Sequence, residues 1–321
     1  MDLIYTNSSF EDIGVLFDYS LDLAYGKDEN DFELIVDLQN NCCDKNSLVY
    51  IDGTEYGGII DGIAIDTAND KLTYTGRTWH GVLSSKIIEP ETGEAYYIVS
   101  GEANTVINSL IQRLGLSDLF ETEQTDSELY ISSYQFDRYV NAYEGIVSML
   151  DGISAKMRIV FKNGRAVISA LPIIDYSTDE QFDNDQLDLK VEKTFNPVNH
   201  LICLGKGELT DRLCVHLYAD SAGNISENQT LFGVDEVTKT YELNNVDDSE
   251  KLISDGTKKL KEYNSGGKVE MDFENEQNLY DIGDIVGTQE ITTGVFVKEK
   301  ITKKIVTIEN GVANIEYKVG E

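Results

Sequence analysis

Bases are scarce in this chain. Against 58 acids stand 26 lysines and arginines in 321 residues, a formal net charge of -32. The deficit runs the whole length: 5 bases against 19 acids in residues 1–100, 6 against 14 in 101–186, and 15 against 25 in 187–321. A surface so acidic argues against stable binding to DNA or RNA, whose affinity comes from cations that displace counterions. It argues equally against docking on anionic lipid. Long apolar runs are missing too. None approaches the ~20 residues needed to cross a bilayer. The opening MDLIYTNSSFEDIG carries acids where a secretory leader needs bases. Synthesis and folding in a cytoplasm are expected.

Histidine is reduced to His80, His200 and His216, which leaves little acid–base machinery. The spacings G-x-S-x-G and H-E-x-x-H, the P-loop and the dinucleotide-binding glycine loop are all absent. The four cysteines are Cys42, Cys43, Cys203 and Cys214, expected as small reduced apolar groups without a structural disulfide. Neighbours Cys42 and Cys43 would point to opposite faces of an extended segment, which makes them poor joint ligands. His200, Cys203, Cys214 and His216 lie on two short apolar runs that flank loop 205–212. Cys214 and His216 share one strand face, but His200 and Cys203 differ by an odd number, so a four-ligand zinc site needs a bulge. A packed hairpin is the expected state. So many acids guarantee carboxylate pairs by chance, and none is singled out for glycoside hydrolysis. The acidic stretch 177–188, STDEQFDNDQLD, lacks the calcium-loop pattern and reads as a solvated linker. The lone Trp79 could stack a sugar, yet an aromatic just after a strand reads as a core plug. No catalytic, cofactor-binding or metal-ligating residue is assigned.

What the chain does have is strand pattern. Residues 14–25 alternate Val15, Phe17, Tyr19, Leu21 and Leu23 with mostly polar partners, a period of two. Further strands are expected at 32–38, 48–52, 56–66 and 71–77, with no room for a helix among them. Residues 1–95 read as a first β domain. The middle changes period. Val106, Ile107, Leu110, Ile111 and Leu114 mark one helical face over 103–114, with Gly115 as C-terminal cap. Tyr143, Ile146, Val147 and Leu150 mark a second helix over 139–150. Asn163–Gly164, between alternating segments, is a hairpin signal. Residues 96–186 therefore read as a small α/β domain and acidic linker. Residues 187–321 return to strands, interrupted by a helix over 248–263. They end in a long hairpin, 294–308 and 312–319, turning at Glu309–Asn310–Gly311. Lys298, Lys300, Lys303 and Lys304 on the first of these strands are expected in solvent, or paired with acids of a neighbouring chain.

Three stretches together resemble the tail-hub (baseplate hub) proteins of long-tailed bacteriophages and prophage-derived tail particles. They are LTYTGRTWHGVLSSKIIEP at 72–90, the 196–220 segment with its NP, GKGE and LYAD elements, and LYDIGDIVGTQEITTGVFVKEKITKKIVTIENGVANIEYKVG at 279–320. The first is taken as a strand running into a Gly-Arg turn. The resemblance implies a β-dominated α+β fold, with two tail-tube-type β-barrel domains flanking a small α/β domain. It implies a homotrimeric ring with a pseudo-sixfold face, joining a tail tube or distal tail protein to a spike or fibre tip and letting DNA pass. It implies a place in the virion tail, assembled in the host cytoplasm. It carries no catalytic residue and no cofactor. The rival expectation is a peptidoglycan- or glycan-active enzyme, or its carbohydrate-binding arm.

Overall fold

Two Asn-Gly pairs each turn a long hairpin. Asn163 and Gly164 sit at φ 56 and 77, and Asn310 and Gly311 at φ 52 and 77. Two successive left-handed residues make the turn whose twist matches that of paired strands, and Asn and Gly occupy that region at least cost. The computed structural model describes residues 1–177, 187–194, 196–264, 267–275, 280–289, 294 and 296–320. Most of the acidic stretch 177–188 lies outside the described residues.

Seven strands come first: β1 Leu3–Thr6, β2 Asp12–Leu16, β3 Ser20–Gly26, β4 Asp31–Asp37, β5 Leu48–Tyr50, β6 Gly57–Asp66 and β7 Lys71–Thr78. The single strand expected over 14–25 is two, because β2 pairs with β1 while β3 pairs with β4. A helix follows directly, α1 Trp79–Ser84, where none was expected. Gly76 and Arg77 are strand residues, and the chain turns at Thr78, whose hydroxyl accepts from the Gly81 N–H as a helix cap.

The middle segment holds β8 Ile87–Ile88, β9 Ile98–Glu102, α2 Ala103–Arg113, β10 Phe120–Thr122, β11 Tyr130–Gln135, β12 Val140–Asn141, α3 Ala142–Asp151, β13 Ala155–Lys162 and β14 Arg165–Pro172. Both expected helices form, α2 ending one residue early and α3 beginning at Ala142, since Val140–Asn141 is strand. Glu102 caps α2 by accepting the N–H groups of Asn104 and Thr105 at 3.0 and 2.7 Å. Trp79 is fully buried and stacks on Phe161 at 4.8 Å between ring centres, inside a core that includes Ile107, Leu110, Ile146 and Leu150. It is a core plug.

After β15 Leu187–Lys193 come β16 His200–Leu204, β17 Cys214–Ala219, β18 Ile225–Ser226, β19 Thr238–Glu242 and α4 Ser249–Tyr263. The chain continues through β20 Gly267–Asn275, β21 Ile285–Gln289, β22 Phe296–Glu309 and β23 Val312–Val319.

The pairing departs from the expected layout of two separate barrels. One 12-stranded sheet runs β15-β20-β23-β22-β3-β4-β7-β6-β5-β1-β2, with β21 beside β22. β22 pairs with β3 from Lys303↔Gly26 to Glu309↔Ser20. The two ends of the chain thus share one sheet. Among the described residues its strand path is open, not a closed barrel. The physical reason lies in the apolar alternation. Leu21, Leu23 and Tyr25 of β3 and Val306 and Ile308 of β22 are all buried in one core, together with Leu34, Tyr74, Ile315 and Tyr317. Strands whose inward residues match in register pair across any sequence distance.

By contact the chain divides into two compact units. One comprises residues 1–189 and 271–321, the other 190–270. In the second, β16, β17, β18 and β19 form a four-stranded sheet backed by α4. Helix and sheet approach closely at Gly256, where a Cβ would stand 2.4 Å from Cys203 Sγ.

Candidate functional site

The larger unit buries ionic groups beneath its C-terminal strands. Lys156, on β13, has a side chain 3% exposed and donates to Asp284 at 2.6 Å and Asp281 at 2.8 Å. Asp284 is wholly buried and also accepts the backbone N–H groups of Ile174 and Asp281, both at 2.9 Å. Burial pushes the Asp281 carboxyl upward, but the Lys156 ammonium outweighs it and holds the group below its ordinary range. Lys304, 1% exposed, pairs with Glu55 and lies 5.7 Å from the Tyr317 ring centre.

The remaining lysines of β22 also meet acids of this chain: Lys298 pairs with Asp175, Lys300 with Asp151, and Lys303 with Asp28. Of this stripe, Lys298 and Lys300 stay in solvent at 44% and 41% exposed while they pair, and Lys304 alone is buried; together the pairs act as a clamp at the surface. Asp151 ends α3, so the clamp ties the C-terminal strand to the α/β segment.

A cavity of about 440 Å³ opens beside this cluster, lined by His80, Tyr143, Lys156 and Lys300 among apolar Val147 and Ile301. His80 is 4% exposed, and among the described residues its Nδ1 has no hydrogen-bond partner. Burial drives its pKa down to about 4, so the ring is neutral at pH 7. It packs edge-on against Tyr25 and Tyr143 at 5.1 and 5.6 Å. Of the lysines that line the cavity, Lys156 and Lys300 are engaged by carboxylates, and His80 carries no charge.

In the smaller unit the hairpin β16–β17 forms as expected. His200 lies opposite Tyr218, and Leu204 opposite Cys214. Cys203 faces the buried side and is 0% exposed, whereas Cys214 is exposed, so the four candidate zinc ligands do not converge. His200 turns instead to His216. Its Nε2 lies 2.8 Å from His216 Nδ1, and its Nδ1 lies 2.7 Å from Glu236 Oε1. The carboxylate accepts, so Nδ1 of His200 donates to Glu236. Sequence periodicity missed Glu236 because it stands just before β19, which joins β16 in parallel from 38 residues away, at His200↔Thr238. Among the described residues no three His, Cys, Asp or Glu side chains are grouped to hold a metal ion. A second cavity of about 470 Å³ is lined by Asn199, Asp220, Asp235 and Asn264. Asn199 and the Asn264 amide nitrogen bond the backbone of surrounding loops, and Asp220 accepts from the backbone of Ala222 and Asn224 and from the Asn224 side chain.

The surface gives a third kind of candidate. Ile13 and Phe17, at the outer strand β2, are 58% and 75% exposed, and Ile63 and Ile65 of β6 are 52% and 61% exposed. β5 pairs with β6 at residues 57–59 and extends no further, so β6 has no partner on that side from residue 62 onward among the described residues. Apolar side chains exposed beside an unpaired strand edge are candidates for a contact surface.

No family model matches the chain, and no curated protein does. Solved structures do. Prophage tail protein gp18 from Listeria monocytogenes EGD-e aligns at 13% identity over 99% of this chain and 94% of its own, with a TM-score of 0.55. The tail protein from Neisseria meningitidis MC58 aligns at 11% identity over 100% and 96%, with a TM-score of 0.54. The 43 kDa tail protein of prophage MuSo2 from Shewanella oneidensis aligns at 9% identity over 99% and 98%, with a TM-score of 0.58. The chain has the fold of these tail proteins. Identities this low show common architecture, and the tail-protein fold is what the open sheet, the α/β insertion and the small four-stranded unit amount to.

Proposed function

We propose that the chain is a structural subunit of a phage-type tail, and within it the baseplate hub. The observation that supports this most is the end-to-end likeness, which takes in 94%, 96% and 98% of the three tail proteins. In this reading three copies close into a ring that joins the tail tube, or a distal tail protein, to a spike or fibre tip. Each copy contributes the two parts of its long sheet, the strands before Thr78 and those after Gly267. Three copies then offer six sheet segments, which fits a sixfold tube. The exposed apolar strand edges at Ile13, Phe17, Ile63 and Ile65 supply the contacts, and closure of the ring buries them. The net charge of -32 gives the channel a field that repels phosphate, so DNA slides through without the counterion release that would hold it. The ring assembles in the host cytoplasm and resides in the virion tail. No bond is made or broken.

Electron microscopy of tail particles carrying a labelled copy tests this reading. Three labels at the junction of tube and tip are expected. Label along the tube or on fibres refutes the hub. Release of fragments from purified cell wall by the isolated chain refutes the structural role and favours a wall-degrading enzyme.

A further inference from the structure

The vicinal cysteines are not arranged as an extended segment would place them. Cys42 and Cys43 follow a 3-10 turn, Leu38–Asn40, in the connection between β4 and β5. Both their backbone N–H groups donate to one acceptor, the hydroxyl oxygen of Tyr74, at 3.0 and 3.1 Å. The Tyr74 hydroxyl in turn donates to Asn41 Oδ1 at 2.8 Å. Successive N–H groups of an extended chain point in opposite directions, so sharing one acceptor forces a curled backbone. The curl swings both side chains to the same side, and the two Sγ atoms lie 3.6 Å apart. Tyr74 is a buried residue of β7, which makes it a fixed peg for this loop.

We propose that Cys42 and Cys43 are a vicinal dithiol that small disulfides of the glutathione class oxidise to an internal disulfide. The two thiols have different parts. Cys42 is partly buried and the more accessible of the two, whereas Cys43 is 5% exposed. A hydrogen bond from the Cys43 thiol draws the Cys42 thiol below its ordinary range, while that same contact and burial push Cys43 up. In the first step the Cys42 thiolate attacks one sulfur of glutathione disulfide, forming a mixed disulfide and expelling one glutathione thiolate. In the second, Cys43 loses its proton, and its sulfur attacks Cys42 Sγ and expels the second glutathione thiolate. Two protein thiols are oxidised, one disulfide is reduced to two thiols, and the two protons released are taken up by the departing thiolates. The sulfurs need to close from 3.6 Å to a bond length of about 2 Å. The couple stays reduced where glutathione is reduced and closes where it is not.

The test uses the full chain in its native state, treated with glutathione disulfide, quenched with an alkylating agent and mapped by mass spectrometry. Exposed Cys214 is the internal control, since its glutathione adduct proves the oxidant active. The expected result is a peptide containing Cys42 and Cys43 that has lost two hydrogens and takes no alkylation. In Cys43→Ser, Cys42 should instead stop as a stable glutathione adduct, and in Cys42→Ser, Cys43 should stay a free thiol. Phenylarsine oxide is a second probe. One equivalent should bind wild type, resist a monothiol and leave with a dithiol, and either serine variant should lose that resistance. Alkylation of both cysteines in wild type while Cys214 is modified overturns the proposal. So does a persistent glutathione adduct on wild-type Cys42.

Discussion

Replacement of Lys156 by methionine is the sharpest test of how the larger unit is held together. The side chain sits 3% exposed between Asp284, 0% exposed, and Asp281, 22% exposed. Methionine fills most of its volume but strands two carboxylates. Removing one member of a buried ionic group costs about 3–5 kcal/mol, because the group left behind stays desolvated and uncompensated. For a body of this size that corresponds to a fall in midpoint of roughly 6–20 °C. The exposed pair Lys71–Asp37, with side chains 51% and 47% exposed, provides the contrast. Lys71→Met should cost under about 1 kcal/mol. Differential scanning calorimetry on both variants measures the difference, and circular dichroism checks that each is folded at low temperature. Asp284→Asn should behave like Lys156→Met. An amide nitrogen cannot accept the N–H of Ile174 or Asp281, and Lys156 keeps Asp281 alone. The double variant Lys156→Met with Asp284→Asn should lose less than the sum of the two. A loss under about 1 kcal/mol for Lys156→Met, or strict additivity in the double variant, refutes the claim that this cluster is electrostatically coupled.

Further outcomes are expected from other parts of the molecule. His80 is neutral when folded, with a pKa of about 4 against 6.5 unfolded, so the unfolded chain binds the extra proton between those values. Stability is then full above pH 6.5 and falls by about 3 kcal/mol as pH drops toward 4. His80→Leu should flatten that slope in pH-dependent urea titrations, and an unchanged slope counts against it. Glu102 is pushed up by burial but held at about 2 by the hydrogen bonds of Ser127 and of the α2 N–H groups. Its contribution is present above pH 4.5 and lost as pH falls toward 2, and Glu102→Gln should remove that acid limb. Gly256→Ala gains about 1 kcal/mol of helix propensity but must displace Cys203 Sγ, 2.4 Å from the new Cβ. Net destabilisation of about 1–2 kcal/mol is expected by chemical denaturation, with Cys203→Ala partly restoring it. Ile63→Asp combined with Ile65→Asp should leave the isolated chain folded but abolish ring formation in mass photometry of the assembled tip. Rings that persist place the contact surface elsewhere.

Local pattern was legible in the sequence, and long-range pairing was not. The spacing of Val106, Ile107, Leu110 and Ile111 announced α2, and Asn-Gly at 163–164 and 310–311 announced both hairpins, because those signals live within one turn of chain. The partner of a strand does not. Period two states that Leu21 and Leu23 face inward, yet it is silent on whether they meet strands at residue 34 or at residue 306. The break between β2 and β3 was hidden because Phe17 continues the apolar alternation while standing 75% exposed. Cys42 and Cys43 were misread because an extended backbone was assumed, and Tyr74, the residue that curls it, lies some thirty positions away. The lysines of β22 were visible, but their acids at Asp28, Glu55, Asp151 and Asp175 are scattered over 148 residues of sequence and come together in the folded unit.

The seven-position ladder between β3 and β22 has a consequence for biosynthesis. Strand β3 leaves the ribosome nearly 280 residues ahead of its second neighbour. Until then its outer row of amides and carbonyls is open to any passing strand, including the same segment of another nascent chain. Polypeptides of such high contact order nucleate slowly and aggregate while they wait. Production of this protein should therefore depend steeply on translation speed, temperature and chaperone supply.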